Sequence, residues 1–150
     1  MSATAKLKEL GLELPAVNPG KLAPAVRTGN LVYTSGATSA ISGKVSDTAS
    51  AEVSVEQGYE AARQAILGCL ASVQWLIGDL DKVTRVVKIL GMVNCAEGFS
   101  NTPAVIHGAT DTLIELFGKE AGWHARSAIG VYQLPGNAAV EIEIIVEVAG

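Results

Sequence analysis

Cysteine is scarce in this chain: Cys69 and Cys95 are the only two. Neither lies in a Cys-x-x-Cys pair or a histidine-rich setting, so both read as small buried hydrophobes in a reducing compartment. Aromatics are few and scattered, with two Trp, three Tyr and two Phe, and that argues against a base-stacking RNA surface. Basic residues are outnumbered, 11 Lys and Arg against 15 Asp and Glu, for a net charge of −4. A nucleic-acid binder held by electrostatics would show a basic face, so nucleic acid is not expected as a partner. No long apolar run occurs. The greasiest window, Ala65 to Gly78, contains Ser72 and Gln74 and is too short and polar to span a bilayer, so no membrane partner is expected. Near the start, Glu9, Glu13 and Pro15 interrupt any apolar stretch of a signal peptide, and the expected location is cytoplasmic. Walker and dinucleotide-binding motifs and the Gly-x-Ser-x-Gly elbow are all missing. His107 and His124 are the only histidines and belong to no spaced cluster, so no metal is expected.

What is present fits one domain, residues 1–150, with residues 1–20 as an N-terminal extension. Hydrophobic residues make up 49% of the 150 and charged residues 17%, the reverse of a disordered chain. So apolar a composition suggests surface hidden in an oligomer. The extension contains a short helical lead-in and ends in the turn-rich Asn18-Pro19-Gly20. Thr28-Gly29-Asn30 then separates two β-prone runs as a hairpin turn. Ala62, Ala65, Ile66, Cys69, Val73, Leu76 and Ile77 repeat at helical spacing, with Ser54 and Gln57 as a capping box and Gly78 as a stop. Val83 to Val93 reads as a buried strand. Thr102-Pro103 opens a second helix as cap and first residue, and Gly118 closes it.

In the C-terminal third, Val140, Ile142, Ile144, Val146 and Val148 alternate with Glu141, Glu143, Ile145 and Glu147, a half-buried strand. Pro135-Gly136-Asn137 separates it from Arg126–Leu134, and the two are expected to pair as a hairpin, Leu134 opposite Ala139. That register puts Ile129 and Val131 on the apolar side and groups Arg126 and Tyr132 with Glu141, Glu143 and Glu147. The element order ββαβαββ defines an α+β fold, one mixed sheet with two helices packed on one face.

Arg126 stands among small neighbours, Ala125, Ser127 and Ala128. Its guanidinium fork matches a carboxylate, or it forms a cross-strand salt bridge to a glutamate. Glu141 can hold and polarise a water, or it keeps the sheet soluble. His124 is close enough in sequence to Arg126 to line the same cleft, whereas nothing assigns a role to His107.

These residues resemble a known family. His124-Ala-Arg-Ser-Ala-Ile-Gly-Val-Tyr-Gln-Leu-Pro followed by Val140-Glu-Ile-Glu looks like the C-terminal signature of the RidA (YjgF) family, and Leu31-Val-Tyr-Thr-Ser-Gly resembles its early strand. The likeness runs from about Pro24 to the C-terminus, and the length matches a branch labelled endoribonuclease. It implies a chorismate-mutase-like fold and a homotrimer with clefts at the subunit interfaces. The implied activity is hydrolysis of small 2-imino or enamine acids such as 2-aminoacrylate to 2-keto acids and ammonia, without cofactor or metal. Carried over by position, Arg126 clamps the substrate carboxylate, Glu141 orients water, and Ser35, Gly36 and Ala128 line the substrate site. Two positions depart from the family pattern: Ala25 stands where deaminating members carry Tyr, and Ala128 where many carry Cys. The alternatives are RNA hydrolysis and non-catalytic binding of small carboxylates.

Overall fold

The helical stripe expected around Ala62–Ile77 forms the longest helix. The computed structural model describes residues 1–150. In chain order the elements are α1 (Ala3–Glu9), β1 (Ala25–Thr28), β2 (Leu31–Thr34), β3 (Ala37–Thr38), α2 (Val55–Ile77), β4 (Val83–Asn94), α3 (Thr102–Gly122), β5 (Ala125–Val131) and β6 (Val140–Val148). Short 3-10 turns occupy Leu80–Lys82 and Pro135–Asn137. At the start of α2, the Ser54 side chain accepts from the Gln57 amide and the Gln57 side chain accepts from the Ser54 amide, so both arms of the expected capping box are made. Gly78 closes the helix in the left-handed conformation, φ 84°. At α3 the expected cap differs. Asn101 holds the cap position without a side-chain bond, and the Thr102 hydroxyl donates to the Ala128 carbonyl at 3.0 Å, tying the helix start to β5. Gly118 breaks the helical backbone as expected, but one more turn follows to Gly122.

One mixed sheet carries the strands in the order β1-β2-β6-β4-β5, with β3 pairing to β6 beyond the end of β2. Its even-numbered β6 residues, Val140 to Val148, are buried beneath the helices, and its glutamates face away, as the alternation requires. Together with Val86, Ile89 and Val93 of β4 they pack against Ala62, Ile66, Cys69, Leu70 and Val73 of α2 and Val105, Ile106, Ala109 and Leu113 of α3. The α1 helix adds Ala3 and Leu7 to the same core.

The expected C-terminal hairpin does not form. β5 pairs with β4 in parallel, Ile89 opposite Arg126, and β6 pairs with the other side of β4, antiparallel, Met92 opposite Glu141. The reason lies in β4, a twelve-residue apolar strand that needs hydrogen-bonded neighbours on both sides. The 21-residue α3 returns the chain antiparallel to β4 and so delivers β5 parallel to it. Residues 132–139 then cross over the end of β4. Arg126, Ala128 and Gly130 consequently share the helix-side face with Ile89, Gly91 and Val93, and Ile129 lies on the opposite face with the glutamates, 44% exposed.

The α2 and α3 backbones cross at a glycine. A Cβ on Gly108 would fall onto the Tyr59 carbonyl oxygen, while a Cβ on Gly91 of β4 would stand 2.6 Å from Ile106. Alanine in a helix interior is ordinarily favoured over glycine by about 1 kcal/mol. At position 108 the overlap reverses that sign, and Gly108→Ala is expected to lower unfolding stability by about 1–3 kcal/mol. Urea unfolding checks it. A midpoint at or above that of the intact protein would show that the helices have room to part.

Candidate active site

Arg126 enters from β5, the strand at one margin of the sheet, and reaches over the N-terminal half of α3. Its Nη1 donates to His107 Nδ1 at 2.9 Å and to Thr110 Oγ1 at 3.1 Å. His107 and Thr110 are three residues apart on one helical turn, so both face the same way. Thr110 Oγ1 is also 3.1 Å from His124 Nε2, and His124 Nδ1 lies 2.6 Å from the Gly122 carbonyl. The elementary inventory of donors fixes the protons. A guanidinium only donates, so His107 Nδ1 is unprotonated; a carbonyl only accepts, so His124 carries its proton on Nδ1. A neutral His124 then accepts the Thr110 hydroxyl proton on Nε2, and Thr110 keeps its lone pairs for Arg126.

The Nε and Nη2 groups of Arg126 have no protein partner, and neither is sealed from solvent. No carboxylate lies within ion-pair distance; the salt bridges are Lys6–Glu9 and Arg63–Glu115. The cross-strand pair with a glutamate, left open by the sequence, is thus not made. Burial lowers the guanidinium's affinity for its proton, and the more distant Asp111 charge works against that.

Glu141 lies two strands away, about 10 Å across the sheet, and on the other face. The expected grouping of Arg126 with Glu141, Glu143 and Glu147 therefore fails within one protomer, because β4 stands between β5 and β6. The Glu141 carboxylate abuts Gly36, where any side chain would collide with Oε2, and it accepts no hydrogen bond from the protein. Burial first, and then the charge of Glu143, raise its carboxyl above the ordinary range. A carboxylate in this state takes a proton from water more readily than one in bulk solvent.

Ser35 stands beside Gly36 but faces the N-terminal segment. Its hydroxyl donates to the Ala23 carbonyl at 2.6 Å and its amide to the Pro24 carbonyl at 2.9 Å. Together with residues 15–24 and with Gly68 and Ser72 of α2, the Ser35–Thr38 stretch encloses a hollow of about 550 Å³. The extension thus lines a hollow beside Ser35 and Gly36. Ala128 lies on the same face as Arg126, and Gly130 beyond it leaves room for the Cys95 thiol.

The cysteines match the sequence reading in part. Cys69 is fully buried, its thiol pushed up to about 12 chiefly by burial, and it donates to the Ile142 carbonyl at 3.1 Å; Cys95 is only half-buried. No group of three His, Cys, Asp or Glu stands close enough to hold a metal ion. None of the helices is long and apolar enough to cross a membrane. Nothing in the sequence alone singles out Thr110 or assigns a role to His107. The three-residue spacing of His107 and Thr110 was the available signal, but it points nowhere until β5 is known to lie beneath α3.

The sequence profile of the family described as "YjgF/chorismate mutase-like, putative endoribonuclease" matches residues 4–148. Protein TCP17 of Trypanosoma cruzi is 38% identical over 151 residues, covering 95% of this chain and 92% of that protein. The crystal structure of Atu1372 from Agrobacterium tumefaciens, of unknown function, superposes with a TM-score of 0.85 at 37% identity, covering 97% of this chain and 91% of that one. That of a "putative endoribonuclease" from Shewanella oneidensis MR-1 gives 0.89 at 28% identity, covering 99% and 100%. The chain belongs to the YjgF/chorismate mutase-like family.

The protonation pattern around Arg126 makes stability depend on pH. Burial, opposed by the Gly122 bond and reinforced by the Arg126 charge, holds His124 below its ordinary 6.5. The unfolded chain therefore binds this proton more readily than the folded one. The stabilisation is complete above about pH 6.5 and is lost as pH falls toward the lower folded value. Melting temperature should fall between about pH 7.5 and pH 5, and His124→Gln should flatten that decline. A variant curve parallel to that of the intact protein would refute the assignment.

Proposed function

We propose that the protein hydrolyses small 2-imino or enamine acids to 2-keto acids and ammonia, in clefts that form between subunits of a homotrimer. The observation that carries this reading is the separation of two unpartnered, oppositely charged groups. Arg126 stands at the β5 margin with two free nitrogens, and Glu141 lies against the Ser35–Gly36 loop toward the opposite margin, on the other face. Two halves of one site so disposed meet when copies associate, and head-to-tail association whose rotation closes makes a ring with one such site at every interface. The trimer implied by the family signature is such a ring.

In the cleft, Arg126 of one protomer grips the substrate carboxylate and Glu141 of its neighbour directs water at C2. Water adds to the C=N carbon, its proton passing through Glu141 toward nitrogen. The resulting carbinolamine expels ammonia, leaving the 2-keto acid. An imine carbon is already electrophilic, so positioning supplies much of the needed acceleration. RNA hydrolysis, the reading the family description carries, requires salt-sensitive capture of a polyanion, and the net charge of −4 opposes it.

The test is ammonia and 2-keto acid release from 2-aminoacrylate generated in situ. Arg126→Ala and Glu141→Gln are each expected to lose about a hundredfold or more. Reassociating the two variants in equal amounts should restore about a quarter of full activity, since one interface in four then combines an intact arginine with an intact glutamate. Unchanged turnover in Arg126→Ala would overturn the reading, as would RNA cleavage abolished by the same substitutions in the absence of imine hydrolysis.

A further inference from the structure

Both hydrogens of Arg126 Nη1 are engaged, one by His107 Nδ1 and one by Thr110 Oγ1. Of the two edges by which a guanidinium grips a carboxylate with parallel hydrogen bonds, the Nη1–Nη2 end is therefore blocked. The Nε–Nη2 side remains whole and solvent-accessible. Thr110 is itself oriented, because its hydroxyl hydrogen goes to His124 and His124 is anchored on Gly122. The guanidinium is thus held at one corner by a chain of groups in which each proton has a single direction.

We propose that His107 and Thr110, with His124 behind Thr110, are positioning residues that present the Nε–Nη2 edge of Arg126 to the carboxylate of the substrate. The proposal rests on the reading of Arg126 given above and adds which edge binds and what holds it. It selects a flat, two-oxygen anion: the edge offers two parallel N–H groups, and a neutral His107 contributes no second positive charge. His107 is itself exposed, so its contribution is not one of core packing. Its bond is the tether that stops an otherwise mobile arginine from rotating its free edge away.

Three measurements on the full-length protein test this. Long-range 1H–15N spectra of the imidazoles should show His107 protonated on Nε2 and bare on Nδ1. His107→Ala should raise KM for the imine, and Kd for pyruvate as a carboxylate probe, about tenfold or more, with kcat within about twofold and the melting curve unchanged. His107→Asn, whose side-chain oxygen can accept in place of Nδ1, should recover most of that loss. If Arg126→Ala abolishes binding while His107→Ala keeps KM and Kd, the positioning role is wrong and the arginine clamp stands. A His107 protonated on Nδ1 would equally remove the tether. If the intact protein neither binds pyruvate nor hydrolyses an imine, the clamp falls and the positioning role with it.

Discussion

The crossing of residues 132–139 over the end of β4 decides where every candidate group stands, and a buried asparagine holds that crossing in place. Asn94, the last residue of β4, is fully buried. Its side-chain amide donates to Asn137 Oδ1 and the Ala138 carbonyl, and its Oδ1 accepts from Lys44 Nζ. Its backbone amide donates to the Ala139 carbonyl, and its backbone carbonyl accepts from Val45. The next residue, Cys95, donates to the Val131 carbonyl at the end of β5. A buried amide satisfied on every side specifies one arrangement, because any other leaves its polar groups unpaired at a cost of about 1–3 kcal/mol each. Asn94 thereby keeps the end of β5 on one side of β4 and the start of β6 on the other.

From that one placement the division of the site follows. β5 is left as a margin strand, its helix-side face occupied by Arg126, Ala128 and Gly130, while β6 is enclosed and turns its glutamates outward. Were β5 and β6 paired directly, with Leu134 opposite Ala139, Arg126 would stand opposite Glu147 on one face of the sheet and pair with it. Separation by β4 keeps the guanidinium without a carboxylate partner, and the Glu141 carboxylate lies against Gly36. The guanidinium, which a glutamate neighbour would neutralise, is thus kept available for a ligand.

The sequence carried the local structure almost completely and the pairing incompletely. Capping at Ser54, the stop at Gly78, the turn at Gly29 and the alternation of β6 are each decided within a few residues, where periodicity and turn chemistry are sufficient. The partner of β5 is decided elsewhere. A period of two states that a strand has two faces; it does not state which strand lies beside it. Pro135-Gly136-Asn137 suits a crossing over β4 as well as a hairpin, and the length and apolarity of β4 are what choose between them. Arg126 and Glu141 were therefore legible as candidates, while the face each occupies was not. Thr110 and His107 stayed hidden for the same reason.

The tether on Arg126 also answers a difficulty that any shared cleft creates. Bringing a free guanidinium up to a carboxylate whose proton affinity is raised invites the two to pair directly, and a direct pair would lower the affinity that lets Glu141 take a proton from water. In the proposed cleft an arginine free to swing would therefore close the site on itself. Held at Nη1 by His107 and Thr110, Arg126 can offer its free edge in only one direction. In the proposed reading the substrate carboxylate satisfies that edge, occupies the space between the charges and screens Glu141 from the guanidinium. Glu141 then keeps the raised proton affinity it owes to burial and to Glu143, and it keeps it when a substrate is bound, the state in which water must be activated.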